Sequence, residues 1–483
     1  MTLSLDMFDT PVQLLPKPKG LHGITELGPD RLALEPGQQY RFSFNMGACI
    51  GCHSCEVACA EQNGLPPEVT WRKVGEVEGG SFPTTKRFHL SLACNHCLEP
   101  ACLQGCPTGA YTKLDNGIVA HHADDCIGCQ YCTWNCPYSV PAFQPDRRIV
   151  TKCDMCQPRL ESGGTSACVD ACPTHAIGIE VVDVAAWRLD HHEADGPNMP
   201  PSELTISTTR IILPDNMPLE TFAISDHDLK LEHPHWPLVW VTLLTQMAMG
   251  AIGSTLLVGV ERHGAIVAFL AASIALPASL LHLGRPIMAW KALRGLRRSW
   301  LSREVLFFGL LAAATSIAVV APSTTTAAVA LTMGVAGVYS SGRLYVVPGR
   351  PAWNTPLTIG AFLLSGAATG PLLAMTVTGR EHSLQPLSAL AVIAQMVVLA
   401  TNLIRLKNNP AREYRGSYRL MTQHCNRLLT ARVGLTILGL VLVFNAPAFV
   451  AMAVVLAAEG LGRYLFFVTV VPLSTPGGFF TGR

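Results

Sequence analysis

The chain changes its hydrophobic rhythm once, near Leu238. Beyond that point eight apolar runs follow one another, at roughly 238–260, 264–283, 304–322, 325–345, 356–378, 386–405, 430–445 and 448–471. A helix needs about 20 apolar residues to cross a bilayer, and these runs are of that order. The seventh is short and the fourth is rich in Gly and Thr, so a count of seven also satisfies the pattern. Before Leu238 the apolar stretches are strand-sized, such as GIVAHH (117–122) and AIGIEVV (176–182). The pattern therefore predicts a small domain at 41–182 and a bundle of about eight helices at 236–473. Residues 183–235 are polar and punctuated by proline, and read as a segment wrapping the first domain. Residues 1–40, with many Pro and Gly, read as an extended arm, and 474–483 as a tail.

Composition supports a membrane-embedded mass. Hydrophobic residues make up 49% and charged residues 14%, with a mean hydropathy of +0.31. Soluble domains carry roughly 25% charged residues, so buried helices of a soluble protein do not account for the runs. Basic residues lie between the runs and not on one soluble face, so no nucleic-acid partner is expected. The first residues, MTLSLDMFDTPVQLLPKPKG, show neither a basic start before an apolar stretch nor a twin-arginine pair, so no export signal is expected.

The cysteines change the picture most. Of 17, sixteen lie between residues 49 and 172, in four groups. These are Cys49, Cys52, Cys55 and Cys59; Cys94, Cys97, Cys102 and Cys106; Cys126, Cys129, Cys132 and Cys136; and Cys153, Cys156, Cys168 and Cys172. A disulfide-stapled domain would be short, with cysteines spread through its loops. Zinc uses paired knuckles and has no use for a third and fourth cysteine so close. A C-x2-C-x2-C run instead supplies three thiolates to one iron–sulfur cube, and in two-cluster ferredoxins a following Cys-Pro reaches the other cube. Cys106, Cys136 and Cys172 each precede a proline. Sixteen thiolates at four per cube predict four [4Fe-4S] clusters. The fold class is then an α+β ferredoxin-like domain, two tandem two-cluster units, followed by an all-α membrane bundle. His53, His96, His121 and His122 read as surface or supporting residues and not ligands. Cys425 reads as an ordinary thiol.

Charge gives an orientation. With eight spans, the loops on the cysteine-domain side hold sixteen basic residues, from Arg285 to Arg483, against Arg262 and Arg380 on the other side. Lys and Arg accumulate in cytoplasmic loops. The expected location is the cytoplasmic membrane, multi-pass, with the cysteine domain in the cytoplasm. Arg294, Arg297 and Arg298 read as a topology signal that also docks this domain.

The four groups with these spacings resemble the four-cluster electron-transfer subunit of the dimethyl sulfoxide reductase family of molybdenum enzymes. Residues 238–471 resemble that family's eight-span anchor, through LHLGRPIMAWKAL (281–293), SWLSREV (299–305) and EGLGRYLFF (459–467). Two subunits that are usually separate are thus fused. The resemblance implies shared ligation: Cys49, Cys52, Cys55 with Cys172; Cys153, Cys156, Cys168 with Cys59; Cys94, Cys97, Cys102 with Cys136; and Cys126, Cys129, Cys132 with Cys106. Some relatives carry Trp at the position of Cys129 and hold a three-iron cluster, so a full cube is expected here. It also implies that the Cys49 cluster faces the catalytic subunit and the Cys94 cluster faces the membrane.

The membrane-soluble two-electron carrier is a quinone, whose redox change also moves two protons. His282 closes the second run and Glu304 opens the third, both on the cysteine-domain side, where they could meet in one pocket. The resembled anchors place matching positions at the quinol site. Glu459 and Arg463 lie in the last run, one helical turn apart. Such a pair lessens the cost of buried charge and would line the quinone pocket or a proton path, or join helices. Histidines are nearly absent from the spans, so no haem is expected.

No molybdopterin domain fits this length, so substrate chemistry falls to a partner subunit. Cytoplasm-facing relatives oxidise sulfite and reduce quinone, which the resemblance favours. The alternatives are a menaquinol-driven reductase of dimethyl sulfoxide or another S- or N-oxide, the anchor of a proton-pumping complex, and a zinc-stabilised scaffold. Pumping would call for a chain of membrane carboxylates, and only Glu459 lies deep in a span.

Overall fold

The computed structural model describes residues 34–79, 83, 85–215, 219, 222–223, 229–379 and 381–473. The arm's first 33 residues, Arg380 and the tail with Arg483 lie outside the described residues. The cysteine domain hangs on two small sheets. In one, strand Gln38–Asn45 runs between Ile177–Asp183, antiparallel, and Arg210–Ile212, parallel. Phe42 and Phe44 are buried on one face of it and Gln39, Arg41 and Ser43 on the other, so this central strand is covered on both sides. The strand starts inside the segment read as arm, and its partner Arg210–Ile212 comes from the segment read as wrapping. In the other sheet Lys73–Gly79 pairs antiparallel with Lys86–Leu92 and with Phe222–Ala223. Two ribbons, Tyr111–Lys113 with Val119–His121 and Ala142–Gln144 with Ile149–Thr151, complete the domain.

The wrapping segment is tied down by polar contacts. Leu98 donates its backbone N–H to Ile206, Trp187 donates its indole N–H to the Ser207 carbonyl at 2.9 Å, and Thr208 donates to the Asn95 carbonyl at 2.6 Å.

Eight long helices follow: Trp236–Val258, Arg262–Leu280, Trp300–Val320, Thr324–Tyr345, Pro356–Thr378, Glu381–Asn408, Asn426–Asn445 and Ala448–Val468. Seven of these are long and apolar enough to cross a membrane. The other, Thr324–Tyr345, is the run rich in Gly and Thr, and it packs between the first and third helices. Helix ends differ from the apolar runs because polar residues continue a helix into the wet interface. The third starts at Trp300, so Glu304 sits a turn inside it. The sixth and seventh start earlier than their runs as well.

The first and fifth helices touch backbone to backbone. A Cβ added at Gly250 would lie 1.9 Å from the Gly366 carbonyl oxygen, and one at Gly370 would lie 2.2 Å from the Gly250 carbonyl carbon. Small residues permit such approach where lipid supplies no hydrophobic drive between helices.

Candidate functional site

The four cysteine groups are two copies of two turn designs. Groups one and three share the sequence Cys-Ile-Gly-Cys, with the glycine and the residue after the second cysteine both left-handed (His53 φ 60, Gln130 φ 59). Groups two and four put His96 and Met155, just before the second cysteine, in that region. Both of these groups end in Cys-Pro-Thr-x-Ala. Ala110 donates its backbone N–H to Cys106 Sγ at 3.3 Å, and Ala176 does the same to Cys172 Sγ at 3.2 Å. Hydrogen bonds to ligand sulfur favour its negative charge.

Distant cysteines converge as sets. Cys49, Cys52, Cys55 and Cys172 line a cavity of about 300 Å³. Cys94, Cys97, Cys102 and Cys136 line another of about 370 Å³. Cys132 interacts electrostatically with Cys129, Cys126 and Cys106. Cys59 does so with Cys168 and Cys156, and Cys153 with Cys59 and Cys168. All seventeen thiols are free of disulfides. Among the described residues, no three His, Cys, Asp or Glu side chains converge on one point as a single ion demands. Thiols ringing a cavity suit a cube with iron at its corners.

Orphaned donors fit the same group. Arg72 Nε and Nη2, Asn95 Nδ2 and His96 Nε2 are buried beside the sets without a protein acceptor, and the sulfurs of a cluster would supply one. Burial pushes the thiols of Cys59, Cys97 and Cys129 up to about 12, so iron must displace protons to bind there.

None of the nearby histidines is needed as a ligand. His96 Nδ1 accepts the Val119 N–H at 3.0 Å. His53 pairs with Glu56, His122 bonds Thr112, and His121 packs on the Tyr111 ring. Cys425 is buried against Leu465 and Val468, away from the sets.

The Cys126–Cys132 loop makes the broad contact with the membrane domain, and the Cys94 set reaches it only through Cys136, beside Gly349 and Arg350. This corrects the order implied by resemblance. Arg285 donates its backbone N–H to Ile127 at 3.0 Å and a guanidinium N–H to the Ala123 carbonyl at 2.9 Å. Gly128, at φ +68, backs onto Gly284: a Cβ on Gly284 would lie 2.1 Å from the Arg148 carbonyl oxygen. Tyr131 and Trp134 are buried in one apolar cluster with Leu243, Phe308, Tyr345, Trp353 and Phe467 of the membrane domain. That packing fixes which set is innermost.

The basic loop docks as well. It forms a 3-10 helix, Pro286–Gly295, and Lys291 and Arg294 both reach Asp125 at 3.0 Å. Hydrogen bonds from Lys291, then its charge and Arg294, hold the Asp125 carboxyl below the usual range. Arg298 lies over Gly109, and both it and Arg297 are exposed. Exposed ion pairs are worth about 0.2–1 kcal/mol each. Asp125→Ala is thus expected to move the thermal midpoint of the full protein little, whereas Gly284→Val should lower it strongly by forcing the backbones apart.

His282 and Glu304 come to different sides of this junction. The His282 Nε2–H donates to the Cys129 carbonyl at 3.0 Å, and its ring lies 6.3 Å from Trp134 and 5.4 Å from His235. Burial holds the His282 imidazole below the usual histidine range, and burial followed by the neighbouring His282 and His233 takes His235 down to about 3. These rings line an open cleft of about 1800 Å³ between the domains, with Thr133, Trp134 and Arg350. Glu304 does not line that cleft. It sits against Tyr131, Tyr345 and Ser341. Trp134 and Tyr345 rings, 5.9 Å apart, lie between the two.

Glu459 and Arg463 form a third place, deeper in the bilayer. Glu459 is nine residues from the end of its helix, roughly 14 Å in. It accepts from Ser365 and, at 3.2 Å, from Gln395. Arg463 donates to the same Ser365 hydroxyl at 2.9 Å and to Gln246 at 2.8 Å, and lies 3.7 Å over the Phe362 ring. The two charges make no direct ion pair, contrary to the expectation from their spacing. Ser365 of the fifth helix comes between them. With Arg432 they line a cavity of about 630 Å³.

Tyr131, Trp134, Tyr345 and His235 escaped sequence reasoning. The signal for the first two was their place among the ligands of group three. Tyr345 and His235 carried none.

A domain that gathers thiols into cluster-sized cavities, seated by its innermost set on a helical membrane bundle, defines an iron–sulfur electron-transfer protein with its own membrane anchor. Residues 85–182 match the 4Fe-4S dicluster domain, and residues 229–468 match the DMSO reductase anchor subunit (DmsC). Over 177 residues the sequence is 36% identical to one chain of the anaerobic dimethyl sulfoxide reductase of Haemophilus influenzae, covering 35% of this protein and 86% of that relative. Identity to the corresponding chain of the Escherichia coli anaerobic dimethyl sulfoxide reductase is 38% over 153 residues, 30% of this protein and 75% of the relative. One subunit of the sulfite dehydrogenase of Allochromatium vinosum is 35% identical over 160 residues, 29% of this protein and 67% of the relative. The protein belongs to the dimethyl sulfoxide reductase family, as its iron–sulfur electron-transfer subunit continuous with its membrane anchor. It is a multi-pass membrane protein that binds [4Fe-4S] clusters.

Proposed function

We propose that the protein carries electrons between the quinone pool and a separate molybdopterin-containing catalytic subunit through four [4Fe-4S] clusters, in the direction of sulfite oxidation. Bound clusters supply one-electron carriers. The observation that carries this reading is the hydrogen bond from His282 of the membrane domain to Cys129 of the innermost set. It brings a proton-exchanging group of the bilayer side within contact of a cluster ligand.

Ligation follows the four sets as they converge: Cys49, Cys52, Cys55, Cys172; Cys59, Cys153, Cys156, Cys168; Cys94, Cys97, Cys102, Cys136; and Cys106, Cys126, Cys129, Cys132. Cys52 is exposed, which suits the far end of the wire, where the catalytic subunit docks. Quinone reduction takes up two electrons and two protons. Glu304 and His282 are the groups assigned to proton exchange, on opposite sides of the packed rings of Tyr131, Trp134 and Tyr345. Glu459 and Arg463 sit apart and serve as a polar tie between helices that exchanges protons with that site. The biased basic residues favour a cytoplasmic cysteine domain; protease added to intact spheroplasts should then spare the exposed Val184–Leu189 helix, and cleavage there would reverse the orientation.

A second reading, a quinol-driven sulfoxide reductase, is favoured by the names of the Haemophilus influenzae and Escherichia coli relatives. The Allochromatium vinosum relative is named for sulfite. Purification without oxygen should yield about 16 iron and 16 acid-labile sulfide per molecule. The purified complex should reduce a quinone analogue with sulfite. Turnover with a sulfoxide and quinol alone selects the second reading, and absence of iron removes both.

A further inference from the structure

Buried cations stand in the gaps between successive cysteine sets. Arg72 is 2% exposed and lies with its guanidinium 4.7 Å over the Phe42 ring. Its Nη1 donates to the Ser91 hydroxyl at 3.1 Å, and that hydroxyl lies 3.5 Å from Cys55 Sγ. Its charge acts on Cys55 of the first set and on Cys59, Cys153 and Cys168 of the second. Among the described residues no carboxylate pairs with it, and its Nε and Nη2 have no protein acceptor. Lys152 is 3% exposed and donates to the Val119 and Cys153 carbonyls. Its charge acts on Cys153 of the second set and on Cys94 and Cys102 of the third.

Among the described residues, the gap between the third set and the innermost one has no buried cation of this kind. There Tyr111 is buried, interacts with Cys102 on one side and Cys126 and Cys132 on the other, and donates its hydroxyl to Cys132 Sγ at 3.3 Å. The other cations near the sets are Lys113, whose ammonium bonds the His96, Cys97 and Gly117 carbonyls beside the third set, Lys73 and the buried Arg350, whose charges act on Cys136 of that set alone, and Arg285, whose charge reaches Cys126 of the innermost one.

We propose that Arg72 and Lys152 are positioning charges for electron transfer, each shared by the two cysteine sets it separates and raising the reduction potential of both. The inference rests on the four-cluster reading above. Each one-electron reduction adds one negative charge to a set. A fixed cation in a water-free gap stabilises that added charge on either side, because charge interactions are strong where the dielectric is low. Arg is suited to the first gap since its guanidinium stays charged when buried and its fork offers donors to sulfur on two sides. Placing the cation between two sets, and not behind one, raises both without holding the electron on either. Electrons are thereby favoured on the three outer sets relative to the innermost one, where a neutral phenol takes the cation's place.

The test is an EPR-monitored redox titration of the purified full-length protein in its complex, with iron and sulfide counted for each variant. Arg72→Met should shift two of the four midpoints to more negative values and leave the other two in place. Lys152→Met should shift a different pair that shares one member with the first. Arg72→Lys should restore most of the Arg72→Met shift, which a role in packing alone would not do. Unmoved midpoints with four clusters present overturn the proposal, as does an equal shift of all four. Fewer than four clusters in the unmodified protein instead overturns the reading on which it rests. If Arg72→Met loses a cluster, Arg72→Lys and Lys152→Met decide, and midpoints unmoved in Lys152→Met overturn the shared-charge role.

Discussion

Glu304→Gln is expected to lower quinone-linked turnover at least about a hundredfold, the range of a lost general acid–base group, while iron and sulfide content stay at the level of the unmodified protein. The substitution keeps the size and shape of the side chain and removes only its capacity to take and give a proton. Its neighbours are the hydroxyl-bearing Tyr131, Tyr345 and Ser341, and an amide oxygen stays compatible with all three, so the fold should not suffer. Tyr131 lies between Cys129 and Cys132, so one residue separates a group reacting beside Glu304 from the innermost set. The measurement is oxidation or reduction of a soluble quinone analogue by the purified complex, compared with reduction of the clusters by dithionite. Turnover should fall and dithionite reduction should not. Glu304→Asp should recover part of the loss by restoring a titrating group at a longer reach. Full turnover in Glu304→Gln would take this residue out of the site and leave His282 with its cleft as the place where quinone protons are exchanged.

Gly250→Leu should prevent the membrane domain from assembling. The hydrogen of Gly250 faces the Gly366 carbonyl and the Gly370 Cα, and a Cβ there would lie 1.9 Å from that oxygen. Backbone cannot move aside as a side chain can. Overpacking a core costs roughly 1–3 kcal/mol even where side chains yield, and more where they cannot. The first and fifth helices would have to separate. Gln246, one turn before Gly250, would then lose its hold on Arg463, which leaves a buried guanidinium short of a partner. The expected result is loss of monodisperse protein after detergent extraction, or a thermal midpoint too low to measure. Gly360→Ala and Gly434→Ala are the controls. Nothing lies within 4 Å of a Cβ at either position, so both should behave as the unmodified protein. A well-behaved Gly250→Leu protein would mean that the two helices do not touch as described.

These two positions were not equally legible beforehand. Glu304 stands out in sequence as a carboxylate at the edge of an apolar run. Gly250 does not, because its importance depends on a helix more than a hundred residues away. The same contrast runs through the site. His282 was legible as a polar residue at a span end, but its bond to Cys129 depends on how two domains meet. Glu459 and Arg463 were legible as charges in an apolar helix, and the spacing suggested a pair. Ser365 of another helix, inserted between them, undid that pairing.

The amino-acid sequence by itself determined the chemistry and the partition of this protein. Thiolate ligands for a cube must come close together in number, and a left-handed turn inside each Cys-x2-Cys needs only its own few residues. Runs of some twenty apolar residues likewise specify membrane helices without reference to the rest of the molecule. Tertiary structure alone decided which cysteine set meets the membrane, where Arg72 and Lys152 stand relative to those sets, and that the proton-active residues occupy separate places. The physical reason is range. Ligand geometry and helix formation are local, whereas burial of a cation, a glycine or a ring depends on surfaces brought together from distant parts of the sequence.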